Sequence, residues 1–198
     1  MDQNRPSATC QTAGRLMGAQ KPLVLVAGAG AGLGQSLLAR FEQEGFTPVG
    51  LGRTRPDAPV GQFHTVDLAA EVAVPAVITE IIAEFGPPKV VIHNTSELVI
   101  APFAQTQLEV YRRTWASMVQ SAILVAQSTM QPMVRAGGGT FIVSGATASL
   151  RGGAKFSAFA SAKFALRGFT QSLAREFQRA GVHVCHAILD GIIDTARS

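Results

Sequence analysis

The residues with the most chemical potential in this 198-residue chain form a glycine run, Gly28-Ala29-Gly30-Ala31-Gly32-Leu33-Gly34. Glycine lets a backbone turn sharply and approach a pyrophosphate, and the N-terminus of a following helix favours the negative charge. The strict G-x-G-x-x-G spacing is not met, because Leu33 stands where a glycine is required. The spacing that fits is G-x-x-x-G-x-G through Gly28, Gly32 and Gly34, with Gly30 between them. The competing reading is close strand–helix packing, which calls for glycine as well. A second feature is Leu51-Gly52-Arg53-Thr54. A carboxylate there would take a ribose 2′-hydroxyl and select NAD, whereas Arg53 suits a 2′-phosphate, which a guanidinium grips bidentately. The loop therefore points to a dinucleotide and Arg53 to NADP ahead of NAD. Otherwise Arg53 is a solvated loop charge.

These groups need elements to hold them. Leu23 to Ala27 is a short apolar run without alternation, as expected of a buried parallel strand, and it leads straight into the glycines. A helix pattern follows, with Leu33, Leu37, Leu38 and Phe41 on one face, stopping at Gly45. Further strands are expected at Thr47–Leu51, Phe63–Val66, Val90–Ile92, Thr140–Val143 and Val182–Leu189. Helices are expected at Val72–Phe85, Leu108–Arg135 and Phe156–Arg179. Alternating strands and helices imply right-handed βαβ units and an α/β, three-layer, doubly wound parallel sheet of order 3-2-1-4-5-6. Residues 1–20 read as a flexible leader and 21–198 as a single domain.

Composition narrows the classes. Hydrophobic residues make up 47% of the chain and charged ones 15%, enough to bury a large core. The net charge is +4, but the cations are scattered, which fits a local phosphate site better than a nucleic-acid surface. Cys10 lies in the polar leader and Cys185 in an apolar run, so the expectation is a reduced, cytoplasmic chain without a disulfide. No apolar run reaches the roughly 18 residues of a membrane span, and no metal-ligand pattern stands out.

From Pro22 to Ser198 the chain resembles the short-chain dehydrogenase/reductase family, whose fingerprint is T-G-x-x-x-G-[IL]-G; Ala27 stands in the place of the first Thr. The resemblance implies a Rossmann fold and a nicotinamide cofactor bound by Gly28, Gly30, Gly32, Leu33, Gly34, Arg53, Asp67, Asn94, Lys163, Gly191 and Thr195. Asp67 matches the family position at the adenine, or else is a helix N-cap. The family's N-N-A-G reads His93-Asn94-Thr95-Ser96, and its P-G-x-x-x-T reads Asp190-Gly191-Ile192-Ile193-Asp194-Thr195. Its seventh strand is not expected within these 198 residues.

The family's proton chemistry uses Asn, Ser, Tyr and Lys. In Phe159-Ala160-Ser161-Ala162-Lys163 the Lys is kept, but Phe159 holds the Tyr place. The Ser place falls on Ala146, with Ser144 and Ser149 nearby, and the Asn place falls on Met118. The single tyrosine, Tyr111, lies on another helix and cannot meet the Y-x-x-x-K spacing. The resemblance thus implies an NADP-binding oxidoreductase relative with weak or no turnover. Two alternatives stand beside it. One is an active enzyme whose substitute donor is Lys163, His93 or a nearby serine such as Ser161; structurally these read as a ribose ligand, a core histidine and a packing residue. The other is a cofactor-free structural or interaction subunit. The apolar face of Phe164, Leu166, Phe169, Leu173 and Phe177 suits either internal packing or a homodimer or homotetramer.

Overall fold

Strand β1 (Leu23–Ala27) is buried along its whole length, because helices cover both faces of the sheet it centres. Its residues divide between two cores by the two-residue period of a strand. Leu23, Leu25 and Ala27 join the larger core on one face, and Val24 and Val26 join the smaller one on the other. This two-sided burial explains an apolar run with no alternation. The molecule is a computed structural model in which residues 20–191 are described.

The other strands are β2 (Thr47–Gly52), β3 (Gln62–Thr65), β4 (Pro88–His93), β5 (Gly139–Ser144) and β6 (Val182–Ala187). All pairings are parallel, and the sheet order is β3-β2-β1-β4-β5-β6, as the alternation of elements implied. The α-helices are α1 (Leu33–Gln43), α2 (Ala73–Phe85), α3 (Leu108–Trp115), α4 (Ser121–Arg135) and α5 (Ser157–Phe177). The sequence order reverses between β1 and β4. Both strands end at that switch point, where a doubly wound sheet opens a crevice for a ligand.

Besides shifts of one or two residues at other element ends, the structure departs from the sequence reading at three points. The expected helix Leu108–Arg135 is interrupted by a π turn, Ala116–Gln120, between α3 and α4. The last strand ends at Ala187 rather than Leu189. Asp67 does not cap a helix: α2 begins at Ala73, with Val72 at the cap.

Residues 1–19 of the leader, Cys10, Thr195 and any strand beyond β6 lie outside the described residues. Cys185 is a half-buried free thiol. Among the described residues no helix is long and apolar enough to cross a membrane. On α5, Leu166 is buried and Phe169, Leu173 and Phe177 pack on the larger core, while Phe164 stays 45% exposed.

Candidate active site

The glycine loop departs from β1 in a conformation only glycine adopts easily. Gly28 has φ +95°, and its N–H and that of Ala29 both donate to the Leu51 carbonyl at 2.9 Å. A Cβ on Gly28 would lie 2.7 Å from the carbonyl carbon and oxygen of Asn94, and one on Gly34 would lie 2.6 Å from Ala29 Cα and the Gly28 oxygen. Those two glycines bring β1, β4 and α1 together. Gly30 differs: it is exposed, with nothing within 4 Å of an added Cβ. Among the described residues, the N–H groups of Gly30 to Gly34 meet no carbonyl; Gln35 is the first to donate, to Gly30 and Gly32. The loop and the first turn of α1 therefore present free donors at the positive end of a helix, the chemistry a pyrophosphate requires.

On one side of this loop lies a pocket of ≈ 310 Å³ lined by Gly28, Gly30, Arg53, Arg55, Asp67 and Asn94 among others. Arg53 is exposed and has no ion-pair partner among the described residues. Arg55 is tied back, its Nη1 donating to the Phe63 carbonyl at 3.2 Å. Asp67 accepts the Ala69 N–H at 3.0 Å, so one carboxylate oxygen is held and the group still faces the pocket. Asn94 braces the loop twice, through its N–H to the Ala27 carbonyl at 2.7 Å and its Nδ2 to the Gly28 carbonyl at 3.2 Å.

On the other side lies a pocket of ≈ 650 Å³ lined by Ser144, Ala146, Phe156, Phe159, Lys163 and Gly191 among others. Gly28, Gly30, Ala31, Asn94, Thr95 and Ser96 line both pockets, so the two form one crevice. Lys163 is 2% exposed; its Nζ donates to the Ser144 carbonyl at 2.9 Å and stands 5.7 Å from the Phe159 ring centroid. Burial lowers its pKa from 10.5 to about 8, since a desolvated ammonium is costly. The spacing of four on α5 puts Phe159 and Lys163 on one face, as the sequence implied. Ala146 follows β5 and offers only a methyl group to the pocket.

The remaining candidates lie elsewhere. Met118 is fully buried in the π turn and lines neither pocket. Ser149 is fully buried, accepting the Ala146 N–H at 3.2 Å and lying 2.9 Å from His186 Nε2. Ser161 is exposed and donates to the Ala158 carbonyl at 2.9 Å. Tyr111 meets Ser157 at 2.6 Å, outside the pocket lining. His93 is fully buried beneath the crevice, and burial, with Lys163 nearby, lowers its pKa to about 3. It is neutral at ordinary pH and poorly placed as an acid. Of the serines considered, Ser144 alone faces the pocket.

Sequence reasoning did not single out Thr95, Ser96, Thr147 or Phe156 as lining residues. The first two were legible as departures from N-N-A-G. The π turn at Met118 had no signal, because its residue types continue a helix.

The family model described as short chain dehydrogenase matches residues 22–198. A solved short-chain dehydrogenase from Rhodopseudomonas palustris is 34% identical, with a TM-score of 0.79 over 84% of each chain. A short-chain dehydrogenase/reductase of Armillaria gallica is 27% identical over 190 residues, spanning 89% of this chain and 72% of that one. ElxO, solved with NADP bound, has a TM-score of 0.80 over 86% of this chain and 73% of its own at 18% identity, a likeness of fold alone.

Proposed function

Because the chain belongs to the short-chain dehydrogenase/reductase family, oxidoreductases that bind NAD(P), we propose that it binds NADP(H) and performs little or no ordinary carbonyl reduction. The free donors of Gly30 to Gly34 would hold the pyrophosphate, and Arg53 the 2′-phosphate. Asp67 and Asn94 would line the adenosine and central portions, and Lys163, Gly191 and Thr195 the nicotinamide end. The bound nicotinamide supplies or accepts hydride.

The observation that carries the reading is Phe159. Reducing a carbonyl takes a proton as well as a hydride, and the group facing Lys163 across 5.7 Å is a phenyl ring. A positioned acid is worth about a hundred- to ten-thousand-fold in rate. Ala146 removes the hydroxyl that would orient the substrate oxygen, and Met118 takes the relay position with an apolar side chain. Lys163 without its phenol still serves to hold a ribose.

One observation favours a second reading, slow turnover with Lys163 as the donor. Its pKa of about 8 lies near working pH, and it lines the pocket directly. Titrating the purified chain with NADPH and NADH by fluorescence, then assaying a carbonyl panel, tests both. We expect tighter NADPH than NADH binding and turnover near background. Turnover abolished by Lys163→Met in protein that still binds NADPH supports the second reading, and no binding of either nucleotide by the wild type refutes both.

A further inference from the structure

Two departures from the family's N-N-A-G motif touch each other. His93 replaces the first Asn and Thr95 replaces the Ala, and Thr95 Oγ1 lies 3.1 Å from His93 Nε2. A third hydroxyl completes the group: Ser121 Oγ lies 2.8 Å from His93 Nε2. The group joins the end of β4 to the first turn of α4, just after the π turn.

Counting protons fixes the direction of each bond. Ser121 has one hydroxyl proton, and it donates it to the Ser117 carbonyl at 2.7 Å. The 2.8 Å contact with His93 is then a hydrogen bond only if Nε2 carries the proton and Ser121 accepts it. The Nε2–H tautomer follows because Nδ1 is buried without a partner, where a bare nitrogen costs less than an unsatisfied N–H. The same N–H also faces Thr95 Oγ1, which accepts from it. Thr95 cannot donate back to a protonated nitrogen. Its other protein neighbour, Ser121 Oγ, stands at 3.4 Å, a poor acceptor distance. The Thr95 proton is left for the crevice, and Thr95 lines both halves of it, beside Gly28 and Asn94.

We propose that Thr95 donates its hydroxyl proton to an oxygen in the ribose–phosphate mid-section of the bound dinucleotide, and that His93 is the positioning residue that aims it. The inference rests on the dinucleotide reading above. An Ala at position 95 has no such donor, so this contact is a property of this chain's own residues. His93 touches no ligand. It acts by occupying the Thr95 acceptor site and tying it to Ser121.

The test is NADPH titration by fluorescence on the whole chain and three variants, with melting temperatures alongside. One neutral hydrogen bond predicts that Thr95→Val weakens NADPH binding about three- to tenfold. Thr95→Ser, which keeps the hydroxyl, restores binding to within about twofold of wild type. His93→Asn lowers affinity in the wild-type background but not in Thr95→Val. Nitrogen-15 NMR of the wild-type histidines is expected to show His93 as the Nε2–H tautomer. Equal NADPH binding by wild type and Thr95→Val, or an Nδ1–H tautomer, overturns this inference alone. Absence of NADPH binding by the wild type overturns it together with the dinucleotide reading.

Discussion

His93 should make this fold acid-sensitive, and replacing it should blunt that sensitivity by a calculable amount. The imidazole is fully buried, its Nδ1 has no partner, and Lys163 adds a like charge. Protonation would place a second N–H where nothing accepts it. Burial is the larger cause of the fall in pKa from 6.5 to about 3. With the folded pKa below the unfolded one, the unfolded chain binds the proton first. Stability is then fully present above pH 6.5 and is lost as pH falls toward 3, at up to about 1.4 kcal/mol per pH unit. By pH 5 the loss from this residue alone is about 2 kcal/mol, and across the window on the order of 5 kcal/mol. His93→Asn removes the titration, though it also costs packing at every pH. Urea unfolding of both proteins at pH 7.5, 6 and 5 separates the two effects. The gap between wild type and variant should narrow by about 2 kcal/mol from pH 7.5 to 5. His186, lowered to about 4, titrates in both proteins and cancels in the comparison. Parallel curves over that range would refute the argument, since they would mean that His93 protonates freely in the folded chain.

Other perturbations test separate parts of the account. Arg53→Ala should weaken NADPH about ten- to hundredfold, the worth of a charge-assisted contact, and leave NADH unchanged, as measured by competitive titration. Gly28→Ala forces a Cβ to within 2.7 Å of the Asn94 backbone at φ +95° and should cost about 2–4 kcal/mol in urea unfolding, with dinucleotide binding lost. Lys163 loses its proton in the folded chain at about 8, below its unfolded 10.5, so wild-type stability should rise by about 3 kcal/mol relative to Lys163→Met between those pH values. Lys163→Met should lack that rise, and Cys185, whose pKa burial raises, titrates in both proteins and cancels in the comparison.

The sheet was legible because its strands are bounded by glycine and covered on both faces. Leu23–Ala27 can be little other than a central parallel strand, and Gly28 to Gly34 mark where it opens. The face shared by Phe159 and Lys163 followed from helical spacing, and the pocket lies where the two meet. Other features depended on distant contacts that no local pattern encodes. The π turn at Ala116–Gln120 is written in ordinary helix formers. Ser149 looked available by position along the chain, yet His186, from β6, closes over it. His93 read as either donor or core residue, and in the structure it is fully buried, against Ser121 and Thr95. Thr95 carried a signal in the motif, but its role depends on Ser121, 26 residues further on.

The function proposed above is a dinucleotide crevice without an acid. Restoring the missing groups measures this most directly, through NADPH-dependent carbonyl reduction by Ala146→Ser/Phe159→Tyr, with and without Met118→Asn, beside wild type. The restored variants should gain at least about a hundredfold in rate over wild type with an unchanged NADPH dissociation constant. Brisk reduction by the unaltered chain, or no gain in a restored variant that still binds NADPH, would contradict the proposal.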